Sequence, residues 1–273
     1  MNKQYKQCWS RAFTLVELLV VISIIAMLLS ILMPSLQKAR TSAQRTVCIS
    51  NVHQQSVILQ TYASSNGKFA RHLSYAPGYV SNGKPGVATA TWCYALKEGK
   101  YMTDSKILIC PLLKNKAGKV SNAGFYNDTK WKMVGVDMGG WDTTIYEKPK
   151  GYATQIQISY GWFAGFQPYG ATGEPGRVTY ENGEPSWPVR PTDCSSRNIM
   201  VAHETRTYNA NGNFYDASHG GLLWTRSFQD SKSADNPIGR GDGSVKTVKK
   251  SDVKLRATYT YYVGNAVMVQ YYY

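Results

Sequence analysis

Acidic side chains are scarce: 17 Asp plus Glu stand against 31 Lys plus Arg in 273 residues, a net charge of +14. That imbalance points to anionic partners such as lipid headgroups, nucleic acid or acidic glycans, and says nothing more about function. Recognised catalytic patterns are missing too. No HExxH, GxSxG, GxxxxGK(S/T) or GxGxxG occurs, and His53, His72, His203 and His219 are scattered, so an enzyme is not expected. Neither CxxC nor a short-spaced Cys/His cluster is present, which argues against a zinc site on the thiols. There is no internal repeat. With 43% hydrophobic, 12% aromatic and 18% charged residues, a disordered or fibrous chain is excluded and a globular body with an appendage fits.

The appendage is at the amino terminus. Lys3, Lys6 and Arg11 precede Phe13 with no acid among them, and then FTLVELLVVISIIAMLLSILM runs from Phe13 to Met33. At about 1.5 Å per residue such a helix spans roughly 30 Å, enough to cross a bilayer. A cleaved secretory signal peptide has a shorter apolar core and a small-residue cleavage site, whereas this run continues into Pro34, Gln37, Lys38 and Arg40. The basic flank predicts a cytoplasmic amino terminus and an outward remainder. Glu17 is the anomaly, because an acid near the centre of a spanning helix costs about 2.5–3.5 kcal/mol. Cleavage between Ala12 and Phe13 would create an α-ammonium four residues away to pair with it. Snorkelling to headgroup water is the simpler alternative.

Arg11-Ala12-Phe13-Thr14-Leu15-Val16-Glu17-Leu18-Leu19-Val20-Val21-Ile22 resembles the processing and methylation motif of type IV prepilins and of type II secretion pseudopilins. The resemblance implies that a prepilin peptidase cuts between Ala12 and Phe13 and methylates Phe13, that Glu17 is the docking acid, and that the helix forms a filament core. Implied partners are the peptidase/methylase, other pilin or pseudopilin subunits, the inner membrane and its assembly platform. The implied fold is α+β and pilin-like, a long amino-terminal helix on an antiparallel sheet. The expected segments are a leader over 1–12, a transmembrane helix over 13–33, its amphipathic continuation over 34–66 and an exported β-rich domain over 67–273.

Further along, Cys48-Ile49-Ser50-Asn51-Val52-His53-Gln54-Gln55, Cys110-Pro111 and Ser159-Tyr160-Gly161 resemble landmarks of bacterial prepilin-like proteins whose carboxyl-terminal signature is a His followed nine residues later by Asp-Gly. Here His219 and Asp242-Gly243 are separated by 22 residues, with Leu222 to Asn236 reading as an insertion.

Pro34 is expected to kink the helix without ending it. Beyond it, Leu36, Ala39, Ala43, Val47, Ile49, Val52, Ser56 and Leu59 suggest a stripe packed on a sheet, and Ser64-Ser65-Asn66-Gly67 a carboxyl-terminal cap. Strands are predicted at Ile107–Ile109, Gln155–Tyr160, Asn198–Ala202, Ser244–Val248 and Thr258–Tyr262. Pro168, Pro175, Pro185, Pro188 and Pro191 exclude a central strand between them.

Removing the leader takes away Cys8 and leaves Cys48, Cys93, Cys110 and Cys194, which allow three pairings. Cys48 with Cys110, tying helix to sheet, is favoured, with Cys93–Cys194 as the remainder. No cofactor is expected, although Asp235 and Asp242 offer hard oxygens for calcium; an Asp-Gly turn explains the same residues. His203-Glu204 reads as an exposed pair at a strand end. Twenty Tyr and seven Trp fit either stacking on glycan or nucleic acid, or ordinary strand formation. Lys246, Lys249, Lys250, Lys254 and Arg256 fit either a polyanion face or a charged sheet edge.

Overall fold

The computed structural model describes residues 14–70, 72–74, 79–82, 100–102, 107, 110–112, 154–157, 160–168, 177–203, 205–208, 213–216, 235–263 and 265–273. Helix α1 runs unbroken over Leu15–Asn66, through Pro34. Its length follows from a long Leu/Ile/Val/Met run continued by Gln, Lys, Ala and Arg, all compatible with helix. It stops before Gly67, whose φ of +72° is the left-handed conformation a helix-ending glycine supplies without strain.

The chain divides into two compact units, Met1–Ala43 and Gln44–Tyr273, so the last turns of α1 belong to the second. Their buried side chains are Cys48, Asn51, Val52, Gln55, Ser56, Leu59 and Ala63, a helical spacing of three and four. This corrects the expected stripe. Its members Val52, Ser56 and Leu59 are buried as read, but Leu36, Ala39, Ala43 and Val47 are exposed, and Cys48 rather than Val47 begins the buried face.

Within the second unit the strands are β1 (His72–Ser74), β2 (Tyr79–Asn82), β3 (Thr154–Gln157), β4 (Tyr160–Trp162), β5 (Phe166–Pro168), β6 (Val178–Tyr180), β7 (Ile199–His203), β8 (Thr205–Tyr208), β9 (Asn213–Asp216), β10 (Asp235–Arg240), β11 (Val245–Lys249), β12 (Leu255–Val263) and β13 (Asn265–Tyr272). Two antiparallel sheets dominate, ordered β11-β10-β7-β4 and β6-β12-β13-β8-β9. Two smaller pairs accompany them, β2 with β3 antiparallel and β1 with β5 parallel. The architecture is α+β. Among the described residues, the proline-rich segment contributes β5 and the edge strand β6, since a residue without N–H cannot serve an interior ladder.

Helix α1 covers one face of the four-stranded sheet: Cys48, Val52, Leu59 and Ala63 pack with Tyr160, Trp162, Met200 and Val201. The second core lies between the sheets, where Phe163, Phe166, Trp187, Ala202 and Ile238 meet Ala257, Tyr259, Tyr271 and Tyr273. β7 is therefore buried along its whole length. Close approach of α1 depends on Gly239 of β10, where a Cβ would strike Ser56 Oγ and lie 3.1 Å from Val52 Cγ1.

Two expectations are corrected here. Ile107 lies in a 3-10 turn rather than a strand; residues 108 and 109 are outside the described set. Asp235 and Asn236, read as loop and insertion, open β10, which pairs with β11 and then with β7. The ladder to β7 starts at Ile238, just after Pro237. At Asn236 the side chain takes its place, Oδ1 accepting from His203 N–H at 3.1 Å and Nδ2 donating to His203 C=O at 3.5 Å.

Candidate functional site

The described chain begins with a capped helix. Thr14 N–H and Oγ1 donate to Glu17 Oε2 at 2.8 and 2.9 Å, and Glu17 N–H donates to Thr14 Oγ1 at 3.2 Å. This is a reciprocal capping box, with Thr14 at the cap and Glu17 three residues in, satisfying donors that a helix start leaves open. Sequence reasoning missed it, although Thr-x-x-Glu before an apolar run is its written signal. Downstream, every large apolar side chain from Leu15 to Met33 is exposed, Leu29 least at 44%. A helix apolar on all sides has no aqueous resting place, and α1 is long and apolar enough to cross a membrane.

Residues 10–33 match the family of the prokaryotic N-terminal methylation motif. The chain has a type IV prepilin-like amino terminus. No curated protein and no solved structure matches it. In this prepilin-like segment Glu17 occupies the first helical turn, while Ala12 and Phe13 lie outside the described residues. Such motifs belong to structural subunits processed by a prepilin peptidase and assembled with other pilin subunits.

The exposed helix is one candidate site of the prepilin-like chain, and a buried polar cluster is the other. Cys48 Sγ lies 2.9 Å from His203 Nε2 and 3.1 Å from Tyr160 Oη. Asn51 Nδ2 donates to the same Tyr160 oxygen at 3.5 Å. Cys110 joins them, and the ligand atoms of Cys48, Cys110 and His203 all fall within 4.8 Å of one another. All four residues, Cys48, Cys110, Tyr160 and His203, are fully buried. One turn along α1, Gln55 accepts from Trp162 Nε1 and donates to Ile107 C=O at 2.7 Å. The three landmark segments around Cys48, Cys110 and Tyr160 thus meet at one point. His203 joins them there, which corrects the expectation of an exposed pair; Glu204 lies outside the described residues.

Burial pushes the Cys48 thiol well above its ordinary value, and the neighbouring Cys110 adds to the shift. Tyr160 is raised by burial and then by Cys48. Cys48 and Tyr160 therefore hold their protons, since either anion would sit in a buried core.

None of Cys48, Cys110 and Cys194 is in a disulfide. The fold brings Cys48 and Cys110 together as expected of the favoured pair, without a bond between them. Cys194 is half-buried, its thiol pushed up to about 11 by burial and by Asp193. Cys93 and His219 lie outside the described residues.

The remaining candidates disperse. Asp235 and Asp242 are not brought together: Asp235 starts β10 and faces Arg45 at 4.0 Å, whereas Asp242 lies past its far end. There Asp242 Oδ1 accepts from Ser244 N–H at 3.0 Å and Ser244 Oγ at 2.7 Å. With Gly243 at φ +84°, Asp242-Gly243 forms the β10–β11 hairpin turn, held to α1 by Gln60 Nε2 on Gly241 C=O at 2.7 Å. Tyr259, Tyr271 and Tyr273 are core residues rather than a stacking platform. Lys246 and Lys249 lie on the sheet-edge strand β11, three residues apart and so on opposite faces. Arg256 turns to Glu184 at 3.4 Å.

Proposed function

We propose that the chain is a processed and methylated subunit of a type IV pilus-like or type II secretion-like filament. A prepilin peptidase cuts between Ala12 and Phe13 and methylates the Phe13 amine. The helix from Phe13 to Met33 then packs against its counterparts in other subunits, and Glu17 docks against the amine of a neighbour. Before assembly the same helix holds the protein in the inner membrane, with Lys3, Lys6 and Arg11 on the cytoplasmic side and Gln44–Tyr273 outside it. An inner-membrane platform receives the processed subunit. The chain does no chemistry of its own.

One observation carries this reading: the methylation motif match over residues 10–33 falls on a helix whose apolar side chains are exposed all round. A stable domain would not leave that surface uncovered. Mass spectrometry of the membrane-extracted protein tests it. The expected amino terminus is N-methylated Phe13; an intact Met1, or a start near residue 41, overturns the reading.

A further inference from the structure

We propose that Cys48, Cys110 and His203 bind a zinc ion where helix α1 meets the four-stranded sheet. The three residues reach this point from a helix, a loop and the end of a strand, with Cys48 and His203 155 positions apart in the chain. Donors around one tetrahedral zinc, at about 2.3 Å for sulfur and 2.0–2.1 Å for nitrogen, stand roughly 3.5–3.8 Å from one another. The present donors lie within 4.8 Å of one another, with Cys48 Sγ 2.9 Å from His203 Nε2, so small side-chain rotations bring them to ligating distance.

Charge decides which ion fits. All three donors are fully buried, so an occupant must leave little net charge. Two thiolates and a neutral imidazole around a divalent cation sum to zero. Binding replaces two S–H bonds with two S–Zn bonds and releases two protons to solvent; nothing is oxidised or reduced. The surroundings already orient the ligands. Tyr160 O–H lies within hydrogen-bond reach of Cys48 Sγ and is itself held by Asn51, while Asn236 pins the His203 backbone. Such partners fix ligand orientation and tune a metal. Bound there, zinc staples α1 to the sheet and stabilises the domain by mass action.

The alternative occupant of the same space is a Cys48–Cys110 disulfide, which would use two of the three donors and leave out His203. The full chain, isolated in detergent with thiols trapped by alkylation at lysis, separates the two. Expected are about one zinc per chain, a Tm that rises with added zinc, and thiolate-to-metal charge transfer on cobalt substitution. Cys48→Ser and His203→Gln should each lower zinc retention at least tenfold. Recovery of Cys48 and Cys110 as a disulfide, absence of zinc after incubation with excess metal, or equal zinc in the variants overturns the proposal. If the variants do not fold, the cobalt spectrum of the unmodified chain decides: a thiolate charge-transfer band supports the site and its absence overturns it. The readouts concern residues 48, 110 and 203 only, so they succeed or fail independently of processing at Ala12–Phe13.

Discussion

Replacing Glu17 with glutamine separates the two roles this carboxylate can play at the head of α1. As the third residue of the capping box it accepts from Thr14 N–H and Oγ1, and glutamine preserves that geometry because its amide oxygen accepts equally. As a docking charge it has no neutral substitute. Thr14→Ala is the converse perturbation, removing the cap while keeping the charge. Loss of a Ser or Thr cap costs about 0.5–2 kcal/mol, typically near 1, a roughly fivefold rise in fraying of the first turn. An uncompensated acid costs about 2.5–3.5 kcal/mol at the centre of a spanning helix and less in its first turn, so Glu17→Gln should insert in the membrane at least as well as the parent chain. Polymer yield, read by shearing and pelleting filaments against total subunit, should therefore fall at least tenfold in Glu17→Gln and Glu17→Ala alike. In Thr14→Ala it should fall no more than about fivefold. Normal polymer in Glu17→Gln would refute the docking role. Complete loss in Thr14→Ala with Phe13 still processed would show that the cap, not the charge, is what assembly needs.

Gly239→Ala should lower stability by about 1–3 kcal/mol, since its methyl meets Ser56 and Val52; thermal melts should drop by roughly 2–4 °C per kcal/mol. Gln55→Leu strips partners from Trp162 Nε1 and Ile107 C=O, and at about 1–3 kcal/mol per orphaned group denaturant titration should show a loss several times that of Gln54→Leu, which alters an exposed neighbour. Glu184 lies near Arg240 and Arg256, yet burial outweighs these cations and Arg197 and raises its carboxyl from 4.5. A carboxyl raised by folding contributes stability that is complete below the unfolded value and lost as pH rises through the folded one. Melts should therefore fall as pH rises from about 4.5 through that higher value, and Glu184→Gln should remove that slope; an unchanged slope would refute the assignment.

The outline of the fold was legible where one physical signal dominated. An unbroken apolar run can only be a membrane-scale helix, and Gly67 marks its end. The Asp242-Gly243 turn and the strand over Thr258–Tyr262 likewise follow from local chemistry, although the pairing of that strand with β13 was not read. Reading failed where tertiary contacts overrode local preference. In β10, Pro237 and Gly239 both speak against a strand interior. The strand exists because Asn236 replaces the missing ladder bonds and because Gly239 is the only residue type small enough to admit α1. The buried stripe was read correctly at Val52, Ser56 and Leu59 and failed at Val47, which is apolar but falls off the face that packing around Val52 and Leu59 sets against the sheet.

The buried cluster was invisible to spacing rules because its parts are far apart in the chain, with 112 positions between Cys48 and Tyr160 and 155 between Cys48 and His203. A zinc pattern written in two- to four-residue gaps cannot register a site assembled by a helix packing on a sheet. Yet half of it was written on α1. Cys48, Asn51 and Gln55 recur at intervals of three and four on the same face as Val52 and Leu59, a polar line inside an apolar stripe. Amides placed there must find partners in the core, since an unpaired buried amide costs more than any packing gained by keeping it. The line therefore required donors and acceptors from the rest of the chain. Gln55 takes Trp162 and the Ile107 carbonyl; Asn51 takes Tyr160. Cys48, with no such obligation as a neutral thiol, is nevertheless met by both Tyr160 and His203, and that excess of polar company around one sulfur is what a structural cysteine does not need and a ligand does.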